Sequence, residues 1–247
     1  MDDHGDIPPG ERVDRTAWFW RGVRTSFSLP GLILCSAFVG FAGLAREAGL
    51  SIYEAVFMVA VIWALPAKVV LVGAIMAGNS LPAAAFAVAL SSVRLTPMVV
   101  ALVPEIRAAG TRKWVLYALS HFVAVTSWVL AMAKLRNVPR DARTAWYGGL
   151  GATLVLLNMV VVGVVYLIAG QLPPIASAAL LLLTPIYFLT SMWGSARERA
   201  GYVAMILGLA LGPVAHVLVP GFDLLAAGLT GGLAAFGYHL WARRRQA

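Results

Sequence analysis

The sequence predicts an all-α integral membrane protein of about 7–8 transmembrane helices, several of them broken by proline, with an internal repeat. Three observations carry that prediction. Of the 247 residues, 60% are hydrophobic and only 12% charged, and mean hydropathy is +0.82. A soluble domain has roughly a quarter of its residues charged. So much apolar surface exceeds what a soluble core can bury, and lipid is the solvent that fits it. Eight apolar segments follow one another, at 29–46, 52–76, 81–103, 114–133, 148–169, 174–193, 202–220 and 222–241. Most are near the ~20 residues needed to cross a bilayer. Finally, Leu95-Thr96-Pro97-Met98-Val99-Val100-Ala101-Leu102-Val103-Pro104 aligns without gaps on Leu211-Gly212-Pro213-Val214-Ala215-His216-Val217-Leu218-Val219-Pro220, with five of the ten positions identical. Both copies place a proline inside an apolar segment. A duplicated half with interrupted helices in corresponding positions points to a secondary transporter, whose site lies where the helices break.

Residues 1–28 form a polar N-terminal segment, cytoplasmic or interfacial, in which acidic and basic residues alternate. It lacks the short apolar core and small-residue cleavage site of a signal peptide. Val13 to Phe27 reads either as a short interfacial helix, with Trp18, Phe19 and Trp20 at the headgroups, or as a disordered tail. The first membrane half runs over 29–133. Pro30 and Pro82 open segments in it, and Gly49, Gly78 and Asn79 close segments, as helix ends favour. A basic loop at 134–145 separates it from a second half at 146–241, which a basic tail at 242–247 follows. Trp114, Trp146, Tyr147, Trp193, Tyr202, Tyr238 and Trp241 fall near segment ends, the place of an aromatic belt. Gly148, Gly151 and Ala152, like Gly228, Gly231 and Gly232, have the spacing of close helix contacts.

The net charge of +8 reflects topology, because the basic residues cluster between apolar spans. No aromatic-basic interleaving suggests a nucleic-acid partner. Arg243-Arg244-Arg245 places the C-terminus in the cytoplasm, and Arg197, Arg199, Lys134, Arg136, Arg140 and Arg143 agree with that assignment. Arg107, Arg112 and Lys113 conflict with it, since segment 114–133 would then start and end on one side. Either that segment is re-entrant or broken, or the 105–113 loop departs from the rule. The single cysteine, Cys35, excludes an intramolecular disulfide and reads as a small buried hydrophobe. No metal-ligand or cofactor spacing, Walker loop or nucleophile elbow is present.

Lys68 and Arg94 are the charges inside the apolar segments, where each costs at least ~2.5 kcal/mol. Both lie beside a proline, in Pro66-Ala67-Lys68 and Arg94-Leu95-Thr96-Pro97. Proline frees backbone carbonyls next to a fixed cation, a combination suited to a substrate with an amine and a carboxylate. Snorkelling and pairing with backbone carbonyls are the structural alternatives. Pro185, in Thr184-Pro185-Ile186-Tyr187, corresponds to Pro66 at nearly the offset that relates Pro97 to Pro213, so breaks are expected at all four prolines. Lys68, Arg94, Thr96, Tyr187 and Asn158 are the candidate substrate contacts, with Tyr187 facing Lys68 across the repeat. Asn158 reads equally as interhelical glue. His121 is a candidate proton relay, or a neutral histidine bonded between helices. His216 carries no functional signal, and Glu54 complements a helix N-terminus.

At these residues the chain resembles the AzlC family, the large subunit of branched-chain amino acid exporters, over about residues 28–240. The likeness rests on Gly40-Phe41-Ala42-Gly43-Leu44, on Ala48-Gly49-Leu50-Ser51-Ile52-Tyr53-Glu54-Ala55, on Trp63-Ala64-Leu65-Pro66-Ala67-Lys68 and on Val93-Arg94-Leu95. Arg94 and Glu54 match the family pattern directly. Lys68 stands at the family's glutamine, Leu95 at its histidine, and Ser120-His121-Phe122 at a Thr-Asp-Glu run. The resemblance implies a multi-pass plasma-membrane permease that exports amino acids by a secondary mechanism with a small hydrophobic AzlD-type subunit, and not an enzyme. The replaced acidic pair leaves a second reading, a non-transporting membrane partner or sensor. An intramembrane enzyme would need convergent acid, base or metal groups, and the spans hold no central carboxylate.

Overall fold

The computed structural model describes residues 14–108, 110–171 and 173, isolated positions between 175 and 193, and residues 199–219 and 223–244. They fall into two compact units, Met1–Thr184 and Pro185–Ala247. Every described element is a helix, and no strand occurs among the described residues. Three helices are long and apolar enough to cross a membrane, Leu29–Glu47, Leu81–Ile106 and Arg140–Ala169. Ile52–Val61, Leu65–Met76 and Ala200–Ala215 are shorter apolar helices.

The first unit is built on one long helix. Helix α1 spans Arg15–Ser26, where the Asp14 carboxylate accepts from the backbone N–H of Thr16 at 2.9 Å and Ala17 at 3.1 Å. Helix α2 spans Leu29–Glu47 with Pro30 in its first turn. It ends in a left-handed Gly49 (φ 75°), with Gly49 N–H donating to Arg46 O and Leu50 N–H to Ala45 O. That pair is the Schellman pattern, and glycine takes its positive φ without a Cβ clash. Helix α3 spans Ile52–Val61 and opens on a reciprocal box. Ser51 N–H donates to the Glu54 carboxylate at 2.7 Å, and Glu54 N–H donates to Ser51 Oγ at 3.3 Å. The place expected for Glu54 at a helix N-terminus is therefore the one it occupies. Removing the Ser51 cap should cost about 1 kcal/mol. Ser51→Ala is expected to lower the melting temperature of the detergent-solubilised protein, and an unchanged midpoint would show that the box adds no stability.

Helices α4 (Leu65–Met76) and α5 (Leu81–Ser92) follow, joined by a second Schellman turn at Gly78 and packed on each other. A 3-10 turn, Val93–Leu95, leads into α6 (Thr96–Ile106). Helices α7 (Lys113–Ser120) and α8 (Val125–Lys134) precede α9 (Arg143–Ala169). At 27 residues α9 is about 40 Å long. It is the spine on which α1, α2 and α3 pack.

Close approach fixes those contacts. A Cβ on Gly22 of α1 would overlap the Trp146 carbonyl, and one on Gly149 would overlap the Phe19 carbonyl. Helix α2 runs parallel to α9, with Gly31 against Leu154 at one end and Arg46 against Gly170 at the other. Helix α3 returns antiparallel, with Tyr166 Oη donating to Leu50 O at 2.6 Å and Gly163 beside Val56. Trp146 and Tyr147 are buried, 2% and 0% exposed, rather than placed in an aromatic belt. Helix α9 begins at Arg143, so both lie inside it, and α1 packs over this end.

Two expected single spans are divided. Segment 52–76 leaves helical geometry at Ile62 (ψ 87°) and Ala64 (ψ 113°), immediately before Pro66. Pro66 lies in the first turn of α4, where its missing N–H costs least. Segment 114–133 is interrupted at His121–Ala124 with no proline or glycine involved. There Ser127 Oγ accepts from Ala124 N–H at 2.9 Å and donates to Phe122 O at 2.6 Å, which closes the turn. Of the alternatives for this segment, the structure has the broken one.

In the second unit α10 (Arg199–Leu218) and α11 (Asp223–Arg244) pack as a hairpin. Gly231 lies against Gly208 and Leu207, the small-residue contact that helices in lipid favour. The break expected at Pro213 is absent, because Pro213 lies inside a continuous α10. A helix that keeps its remaining backbone bonds tolerates one missing donor when neighbouring groups take up the freed carbonyl.

Candidate functional site

The division of segment 52–76 creates the site. Helix α3 ends at Val61, three residues follow in non-helical geometry, and α4 restarts at Leu65. Lys68 falls in the first turn of α4 and is completely buried. Its ammonium rests 3.9 Å from the centroid of the Phe38 ring and 5.1 Å from that of Phe41, both on α2. Phe38 in turn stacks on Trp63 of the break, with centroids 5.7 Å apart and planes at 27°. Among the described residues Lys68 Nζ has no hydrogen-bond partner, and neither has Trp63 Nε1, although Trp63 is only 5% exposed. The rings supply the lysine with an attractive π face, worth about 2 kcal/mol when desolvated. They supply no acceptor.

His121 joins the second break to the first. Its Nε2 lies 2.8 Å from Ala60 O, in the last turn of α3. A carbonyl only accepts, so Nε2 carries the proton in this contact. In an unbroken helix Ala60 O would accept from Ala64 N–H, and the break removes that donor. His121 replaces it, and its Nδ1 is left available. Both positions are as expected of a histidine bonded between helices.

Asn158 lies on α9 two turns beyond Gly151, which the Phe122 side chain covers. It is fully buried, and its amide donates to Leu154 O at 2.7 Å. Its Oδ1 has no partner. The first unit thus buries unpaired donors at Lys68 and Trp63 and an unpaired acceptor at Asn158, and each such group carries a desolvation cost until something binds it.

The other expected contacts lie elsewhere. Arg94, in the 3-10 turn before α6, is exposed, as are Thr96 and Pro97. The chain tightens through this turn and continues, so Pro97 begins α6 instead of opening a gap. Tyr187 and Pro185, with Thr184, lie outside the described residues. Phe38, Phe41 and Trp63 were not among the sequence candidates. Phe38 and Phe41 have the i, i+3 spacing of one helix face, but nothing in their own segment indicates that a lysine from another helix reaches that face.

The family model described as "AzlC protein" matches residues 31–172. That range contains α2 from Gly31 onward and α3 through α9, with Phe38, Phe41, Trp63, Lys68, His121 and Asn158, and it leaves out α1 and the second unit. No curated protein and no solved structure matches the chain.

Proposed function

The chain belongs to the AzlC family, a family of membrane transport and not of enzymes, and from that premise we propose that it exports amino acids, branched-chain or similarly apolar ones, by a secondary mechanism. The observation that carries this reading is the buried ammonium of Lys68 at an interrupted apolar segment, with no anion beside it. Intramembrane ionisable groups beside broken helices are where transporters bind. Phe38, Phe41 and Trp63 offer an apolar wall for an aliphatic side chain. Asn158 Oδ1 offers an acceptor for a substrate ammonium. His121, tied to Ala60 O through Nε2, keeps Nδ1 for a proton relay. The protein lies in the plasma membrane with 7–8 crossings, about one per apolar segment, and its Arg243-Arg244-Arg245 tail is cytoplasmic.

A small hydrophobic AzlD-type subunit is the proposed partner. The span Leu81–Ile106 has only 6% of its most apolar window buried. Arg94 sits on its exposed surface near mid-span. A guanidinium facing lipid at that depth costs at least ~2.5 kcal/mol, and a partner helix with acceptors removes that cost. The second reading, a non-transporting partner or sensor, is favoured by Ser120-His121-Phe122, since His121 is spent partly on a structural bond.

The test is efflux of a labelled amino-acid panel from cells overproducing the chain, with and without the small subunit, and with Arg94→Ala as a comparison. Efflux of leucine, isoleucine, valine or methionine that needs the subunit is the expected result. Arg94→Ala should weaken co-purification of the subunit and reduce efflux with it. No efflux from protein shown to be inserted would favour the sensor reading.

A further inference from the structure

We infer that Trp63, Lys68 and the N-terminus of α4 form a seat for a carboxylate, so that the substrate is anchored by its carboxylate end and the ligand class extends to apolar monocarboxylates that carry no amino group. The inference rests on the amino-acid reading above for the identity of the site, and it adds the polarity of binding and the ligands that follow from it.

The argument begins with an imbalance. In its ammonium form Lys68 Nζ carries three N–H donors, Trp63 Nε1 carries one, and neither group accepts. Both are buried and unpartnered. Both contact Phe38, whose ring centroid lies 3.9 Å from Lys68 Nζ and 5.7 Å from the stacked Trp63 indole. The backbone adds to the same sign. Helix α4 is 12 residues long, has no acidic residue in its first turn and starts without a side-chain cap. Its first N–H groups and its dipole give the N-terminus about +0.5 of a charge, which favours an anion and opposes a cation. Lys68 stands in that first turn, on the unfavourable side of the dipole.

Three positive contributions therefore lie around Phe38 and the start of α4, and no acidic side chain among the described residues is bonded to them. A second ammonium, an amide or a hydroxyl cannot balance them. A carboxylate can, because it is an acceptor on both oxygens and carries the compensating charge. The aromatic floor of Phe38 and Phe41 lies beside the seat and suits an aliphatic chain. A 2-oxo acid or a branched fatty acid meets all these requirements without an ammonium. A ligand reaches the closed seat by movement at Trp63, which lies between Ile62, whose N–H still donates to Met58 O, and Ala64, whose O still accepts from Lys68 N–H.

The test is ligand binding to the purified full chain in phosphatidylcholine nanodiscs, with leucine, isovalerate and leucinamide as probes. Leucine and isovalerate share the carboxylate, and leucinamide keeps the ammonium and side chain without it. Leucine and isovalerate are expected to bind, and leucinamide is not. Trp63→Phe keeps the stacked ring and removes one donor, and should weaken both carboxylates about tenfold. Lys68→Gln should weaken them about a hundredfold. Thermal unfolding checks that each variant is folded. Leucinamide binding as tightly as leucine, or isovalerate binding untouched by Lys68→Gln, overturns the seat. Isovalerate binding without leucine binding supports the seat and removes the amino-acid reading. Leucine binding without isovalerate binding does the reverse, and binding of neither overturns the seat.

Discussion

Lys68→Met is expected to abolish amino-acid efflux while raising the melting temperature of the solubilised protein. The two effects have one cause. The Lys68 side chain is fully buried and, among the described residues, has no hydrogen-bond partner or counter-ion, only the faces of Phe38 and Phe41. Burying a charge costs several kcal/mol after relaxation, and a desolvated cation–π contact returns about 2 kcal/mol of it. Methionine has a similar length and packs well against rings, so it keeps the volume and removes the charge. Replacing buried ionic groups by packed apolar ones stabilises proteins by about 1–4 kcal/mol in known cases. A group that destabilises the fold is retained for what it binds. A melting temperature that falls with Lys68→Met would show that the ammonium holds α4 onto α2. Efflux that survives would remove Lys68 from the site.

Gly151→Val should lower stability and disturb the second break together. A Cβ at Gly151 would overlap Cβ and Cγ of Phe122 and lie 2.8 Å from its Cδ2. These atoms are the root of the side chain, so rotation does not relieve the overlap and the backbone at the second break must move. His121 is the neighbouring residue, and its bond to Ala60 O would lengthen with that shift. Overpacking of this kind costs about 1–3 kcal/mol. The expected result is a lower melting temperature together with reduced efflux. Gly163→Ala on the same helix is the comparison. Its Cβ would meet only Val56 Cγ2, at an ordinary 3.7 Å. There the better helix propensity of alanine is worth up to about 1 kcal/mol, so a neutral or stabilised protein is expected. Gly151→Ala combined with Phe122→Gly, which removes the Cβ that the new side chain meets, should recover part of the lost stability. Equal effects of Gly151→Val and Gly163→Ala would show that the Phe122 contact is not tight.

Much of this architecture was legible in single residues. Pro30, Pro66 and Pro82 mark helix starts, and Gly49 and Gly78 mark helix ends, because each acts through its own backbone. Lys68 stood out as a charge in an apolar run, and the basic residues on both sides of 114–133 made an interrupted segment one of two alternatives, beside a 105–113 loop that departs from the charge rule. The place of the interruption was not legible. No proline or glycine lies at His121–Ala124, and the turn depends on Ser127 reaching back to Ala124 and Phe122. Pro213 misled in the opposite direction, since its effect on α10 depends on neighbouring groups and not on the proline alone.

The sequence by itself determined the solvent, the helical class, the helix ends and the cation that lipid would not tolerate unaided. Composition and backbone chemistry are local properties, and they act wherever the residue is. Only the tertiary structure decided what surrounds that cation. Phe38 and Phe41 reach Lys68 because α2 and α3 both pack on α9, which brings the break between α3 and α4 against α2. His121 finds Ala60 O across 61 residues of chain. Such partners are set by the close approaches at Gly31, Gly149 and Gly151, where the neighbouring backbone or side-chain root leaves no room for a side chain. A glycine shows in a sequence that space is scarce, but not which residue fills it.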